Sequence, residues 1–177
     1  MKIAQQTALL ILCCMLVTAL ACGSIIWHSK RIDQSHAEVQ QLTSEATMIE
    51  NTRLLTSQWL TILDLFLVNK QTYLFQGLNN QAETIKRLCE QGEGHYYSQL
   101  TKTITSVLEL CQKCQLNNDN DAIWTRTLQE TDLLTADLLG PLDRSGQFLA
   151  TRTQFYEEQL AKRQNDMNNS LYILLGA

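Results

Sequence analysis

ALLILCCMLVTALACGSIIW, residues 8–27, carries no charged side chain. About 20 apolar residues at ~1.5 Å rise cover the ~30 Å hydrocarbon core of a bilayer. A helix is the single-segment structure that satisfies its own backbone hydrogen bonds there. Lys2 precedes the stretch, His28, Lys30 and Arg31 close it, and Trp27 suits the membrane–water boundary. Two rivals share parts of this signature. A cleaved secretory signal has an apolar region of about 7–15 residues, shorter than this run, whose end lacks a small-x-small cleavage site with a polar linker after it. Leu20-Ala21-Cys22-Gly23-Ser24 loosely matches a lipoprotein signal, yet Ile25, Ile26 and Trp27 continue the apolar run past Cys22. An uncleaved transmembrane anchor over residues 1–27 is therefore expected.

The chain has 177 residues, enough beyond the anchor for one domain, expected over 28–170. One proline and seven glycines make a composition for long uninterrupted helices. Fourteen Lys and Arg against eighteen Asp and Glu disfavour nucleic acid, whose phosphates need clustered cations. No polybasic segment for anionic lipid is present either.

Working outward from the anchor, no glycine or proline occurs between Gly23 and Gly77, which predicts one helix of about 50 residues beyond the anchor. Ile32, Val39, Leu42, Ala46 and Ile49, then Leu60, Leu63 and Leu67, fall on a heptad. Gly77-Leu78-Asn79-Asn80 reads as the stop of this first helix. A short helix over 81–90 follows, interrupted by Gly92-Glu93-Gly94. Periodicity returns with Leu100, Ile104, Val107, Cys111 and Cys114. The run Asn117-Asn118-Asp119-Asn120-Asp121 is a turn with N-cap residues. The next helix carries Ile123, Trp124, Leu128, Thr131, Leu134 and Leu138 and stops at Gly140-Pro141. A last helix from Asp143 presents Phe148, Leu149, Phe155, Tyr156, Leu160, Met167 and Leu171. Strict apolar–polar alternation is absent, so no strand is predicted. These lengths close as an up-down bundle. The expected fold is all-α, an antiparallel four-helix bundle continuous with an N-terminal transmembrane helix. Residues 171–177 then begin a second apolar segment, too short by themselves to span a bilayer.

This arrangement resembles the four-helix-bundle sensor region of bacterial transmembrane receptors, namely sensor histidine kinases and methyl-accepting chemotaxis receptors. The resemblance rests on Met1-Lys2-Ile3 before a long apolar helix, on the proline in Leu138-Leu139-Gly140-Pro141-Leu142, and on a last helix that runs into renewed hydrophobicity. It covers the whole chain. It implies a homodimer in a bacterial inner membrane, with a periplasmic sensor domain relaying a small-molecule or protein signal to a cytoplasmic output module. The sensor histidine kinase is the foremost reading and the chemoreceptor the next. A third, of a different class, is a structural or adaptor membrane protein whose bundle binds a partner. No HAMP-like segment, His-box or ATP-binding glycine run occurs in these residues, so the kinase output comes from the resemblance alone. Charge does not set the orientation, because the amino terminus plus Lys2 nearly balance Lys30 plus Arg31.

Candidate site residues divide into three groups. Arg53, Arg126 and Arg152 interrupt or flank apolar stripes, where an arginine can hold a ligand carboxylate bidentately or simply pair with a neighbouring acid. His95 and Tyr96 follow the glycine pair and could line a ligand pocket or cap the bundle end. Val39, Leu42, Ala46 and Ile49 form an a/d seam, expected at the two-fold axis of a parallel homodimer. Cys89, Cys111 and Cys114 are core residues or a thiol pair that responds to oxidation; the Cys111-Gln112-Lys113-Cys114 spacing lacks a second CxxC for zinc and a following His for haem. No cofactor, no metal and no catalytic set is expected.

Overall fold

The computed structural model describes the backbone of residues 2–92, 95–117 and 120–176, and the side chains of 5–92, 96–117 and 120–172. The chain is all-α, with no strand among the described residues. The elements are α1 (Lys2–Val68), a 3-10 turn (Thr72–Leu74), α2 (Phe75–Gln91), α3 (His95–Leu116), α4 (Asp121–Thr135) and α5 (Gly140–Gly176). They gather into two compact units, one of Met1–Thr43 with Thr151–Ala177, the other of Ser44–Ala150.

In the first unit, α1 is helical from Lys2, and its apolar stretch holds no buried residue, with Leu12, Leu16 and Leu20 among the exposed side chains. This is the one helix among the described residues long and apolar enough to cross a membrane. The Arg31 guanidinium lies over the Trp27 ring at 4.3 Å, a cation–π contact where the apolar stretch ends. Ile32, Ser35 and Leu42 are buried. Ser35 donates to the Arg31 carbonyl at 2.9 Å and accepts from Arg163 of α5, so a polar clasp holds the two helices beside an apolar seam.

In the second unit, α1 turns a seam of Thr52, Thr56, Trp59, Leu63 and Phe66 inward, in steps of four, three, four and three. The two threonines satisfy their hydroxyls on the carbonyls one turn back, at 2.8 and 2.7 Å, which is how polar residues occupy core positions. Trp59 is fully buried, and its indole N–H donates to the Leu78 carbonyl at 3.1 Å. Leu78, Ala82, Ile85 and Cys89 make the buried face of α2. This face packs on α3, and α3 packs on α4 through Trp124, Thr127 and Thr131. Asn120 caps α4, accepting from the amides of Ala122 and Ile123.

The first reversal differs from the expected one. Helix α1 ends at Val68, and Lys70 takes φ 52°, the left-handed region usually given to glycine. The Gln71 amide then reaches back to the Phe66 carbonyl at 3.2 Å, the long bond of a Schellman closure. Gly77, the expected stop, lies inside α2. Aromatic packing decided the break: Phe66 meets Phe75 at 6.0 Å and Trp124 at 5.3 Å between ring centroids, and a helix continued through residue 70 would carry Phe75 away from Phe66.

The joint at Gly140-Pro141 also differs. It begins α5, with Pro141 in the first turn, where its missing N–H costs nothing. Along α1, Lys70 pairs with Asp121, Phe66 meets Trp124, Arg53 pairs with Asp143, and a Cβ on Gly146 would touch Ile49. The partners on α4 and the start of α5 rise in number as those on α1 fall, so both run against α1, one after the other. The end of α2 and the start of α3 also meet, Gly92 against Tyr97, with Glu93 and Gly94 between them outside the described residues.

Two glycines there and in α2 separate freedom from necessity. A Cβ on Gly92 would come within 2.6 Å of Tyr97 Cδ2 and 2.7 Å of its Cζ, whereas one on Gly77 meets nothing within 4 Å. Gly92→Ala is expected to destabilise by about 1–3 kcal/mol through overpacking against a buried ring. Gly77→Ala is expected to stabilise by about 0.5–1 kcal/mol, as a glycine leaves a helix interior. Urea midpoints of the two variants would move in opposite directions.

Candidate functional site

The three arginines are satisfied separately. Arg53 Nε donates to Asp143 Oδ1, and its Nη1 reaches Glu50 at 3.3 Å. These carboxylates raise its pKa, the Asp143 hydrogen bond most of all. Arg126 bonds Glu130 one turn along α4 at 2.7 Å, on an exposed face, and Arg152 lies over the Tyr156 ring at 5.8 Å. Each thus has a partner of its own: Asp143 and Glu50 for Arg53, Glu130 for Arg126 and the Tyr156 ring for Arg152.

The a/d seam also turns inward. Leu42 and Ile49 keep only 7% and 9% of their surface within a single chain, and Val39 and Ala46 are half-buried. Their apolar area is spent inside the chain, which leaves Val39 and Ala46 as the members with surface to share.

The cysteines fall into two places. Cys89, at the end of α2, meets Thr101 of α3. Cys111 and Cys114 lie ten residues and more beyond Thr101, about 15 Å along the helix, and Cys114 meets Thr127 of α4. All three are buried and free. Burial raises all three thiol pKa values, pushing Cys111 from 9.0 up to about 12, with the Cys114 charge adding to it. Burial of this kind disfavours the thiolate, the reactive form of the side chain.

Burial raises the Tyr96 and Tyr97 phenols as well. All these groups are neutral when protonated, so a raised folded pKa gives stability that is full below the unfolded value. It is lost as pH climbs towards the folded one, because the unfolded chain releases its protons first. The urea midpoint, measured with reductant present, is expected to hold to about pH 9 and fall between pH 9 and 12.

Tyr96 leads to a concave feature with mixed chemistry. Its hydroxyl donates to the Leu138 carbonyl at 2.8 Å, tying the start of α3 to the segment between α4 and α5. Beside this bond opens a cleft of about 230 Å³. One wall is α3, with Gln99, Leu100 and Thr103; the other is the end of α4 and its exit, with Leu133, Leu134, Asp137 and Pro141. The side chain of His95 lies outside the described residues. Leu134, expected in the core, is 41% exposed here and Leu133 is 81% exposed, because the inward face of α4 is Trp124, Thr127 and Thr131.

Gln99, Thr103 and Asp137 were not legible as site residues. Each belongs to an ordinary polar helix face in sequence, and Leu134 was itself placed on the inward stripe of α4, so no signal marked the cleft.

Comparison with known proteins gives no relative to lean on: no family model matches the chain, and neither a curated protein nor a solved structure is significantly similar to it.

Proposed function

We propose that the chain is the signal-sensing input region of a membrane-bound receptor, foremost a sensor histidine kinase and next a chemoreceptor. In this reading residues 1–27 are the anchor in a bacterial inner membrane, residues 28–170 lie in the periplasm, and residues 171–177 begin a second transmembrane helix. The antiparallel four-helix bundle lies within residues 28–170, and two copies associate in parallel. The observation that carries the reading is α1 itself. One unbroken helix joins an exposed apolar stretch to the core of a packed unit that holds a cleft.

Helices joined in this way can carry a signal by shifts of about 1–2 Å between discrete packings. The ligand must bind the two packings unequally for anything to pass. The Tyr96–Leu138 bond and the Arg53–Asp143 pair straddle the joint where α5 departs, so a ligand in the cleft would act on that joint.

The adaptor reading draws on the exposed Leu116, Leu133 and Phe148, which a partner could cover. The coding frame beyond codon 177 separates the two. A frame continuing through a second apolar helix into a kinase or signalling module is expected; a stop codon directly after it would overturn the receptor and favour the adaptor.

A further inference from the structure

We infer that the cleft between α3 and the α4–α5 joint binds a small primary ammonium compound with a compact apolar body. This deepens the sensing reading and rests on it only for what binding would trigger, since the binding step stands on the cleft itself.

The polar lining is built to accept. Tyr96 has spent its proton on the Leu138 carbonyl at 2.8 Å, so its oxygen offers lone pairs to anything beside it. The Asp137 carboxylate stands at the rim, and its nearest cation, Arg144 Nη2, is 3.7 Å away, too far for a hydrogen bond. Gly140 makes room for that carboxylate, because a Cβ there would overlap Asp137 Oδ1. Gln99 and Thr103, one helical turn apart on α3, spend neither side chain on another described residue. They can turn their oxygens to a ligand N–H.

Across from Gln99 and Thr103, and beside Asp137, Leu133, Leu134 and Pro141 offer an apolar wall for a short hydrocarbon body. A cleft of about 230 Å³ is smaller than a drug-sized pocket and suits about ten heavy atoms. The sign of the charge follows from the surroundings. Asp137 stands at the rim with 74% of its side chain exposed, Arg53 is committed to Asp143, and the chain is acidic, with a formal charge of −4. A carboxylate ligand of the same shape would face Asp137; an ammonium would bond to it, a charge-assisted contact of the stronger kind.

The test titrates the full chain in detergent micelles with 2-phenylethylammonium, and in parallel with 3-phenylpropionate as the carboxylate of similar body, by calorimetry. Saturable one-to-one binding of the ammonium and none of the carboxylate are expected. Asp137→Asn should weaken it about tenfold or more, and Gly140→Ala should weaken it by displacing the carboxylate. Both positions are on or near the surface, so the urea midpoints should stay close to that of the parent. Should Asp137→Asn fail to fold, Thr103→Val takes its place and should also weaken binding. Equal binding of the carboxylate, unchanged affinity in these variants, or partition into micelles without saturation would each overturn the inference. The two proposals fail separately: absent binding removes the ammonium site and leaves the receptor reading, whereas a stop after codon 177 removes the receptor and leaves the site.

Discussion

Trp59→Ala is expected to cost the second unit about 3–5 kcal/mol, the usual toll for removing a large aromatic from a core. Trp59 is fully buried on the inward seam of α1, and its indole N–H holds the Leu78 carbonyl near the start of α2. Alanine removes both the packing volume and the bond between the two helices. The control is Leu54→Ala on the same helix, where the side chain is 54% exposed and the change should stay within about 0.5 kcal/mol. Urea unfolding of the full chain in detergent, followed by circular dichroism, reads both. Similar midpoints for the two variants would contradict the inward placement of Trp59.

The second large effect concerns the anchor. Leu12 and Leu16 lie one turn apart in the middle of the exposed apolar stretch. Arginine at the centre of a membrane helix costs about 2.5–3.5 kcal/mol on insertion scales. The double variant Leu12→Arg with Leu16→Arg should therefore lose about 5–7 kcal/mol of insertion free energy. Most of it is expected to leave the membrane fraction on an alkaline carbonate wash, while the parent stays. Leu116→Arg, at an equally bare position at the end of α3, should be retained like the parent. A parent chain that itself washes off would contradict the anchor.

What was legible in the sequence follows from where periodicity alone decides the outcome. The all-α class was readable because few glycines and one proline leave long helical runs intact, and the α3 stripe of Leu100, Ile104, Val107, Cys111 and Cys114 is buried as its spacing implies. The α1 seam was readable only in part. Leu60 fits the heptad but is half-buried, while Thr52 and Thr56 hold the inward positions. A threonine that bonds its own helix carries no apolar signal, so pattern reading passes over it.

The breaks were less legible still. Gly77 looked like a stop, yet a helix ends where tertiary contacts favour the reversal. The Phe66, Phe75 and Trp124 rings set that point and placed Lys70 in a glycine-like conformation. Phe148 and Phe155 were expected to contribute to the core and stand 64% and 56% exposed, whereas Leu142 and Leu149 turn inward on the same helix. The cleft was the least legible, because it comes from three separate elements: the start of α3, the end of α4 and the first turn of α5. None of its polar residues differs locally from a solvated face.

The claim that joins these observations is that the packed unit senses a signal on the far side of a membrane. The most direct measurement places a reporter in the turn between α3 and α4, after Asn117, in an otherwise intact chain expressed in bacteria. Alkaline phosphatase, active only once exported, should be active there, and β-galactosidase at the same position should be inactive. An active β-galactosidase with a silent phosphatase would put the unit in the cytoplasm and contradict the account.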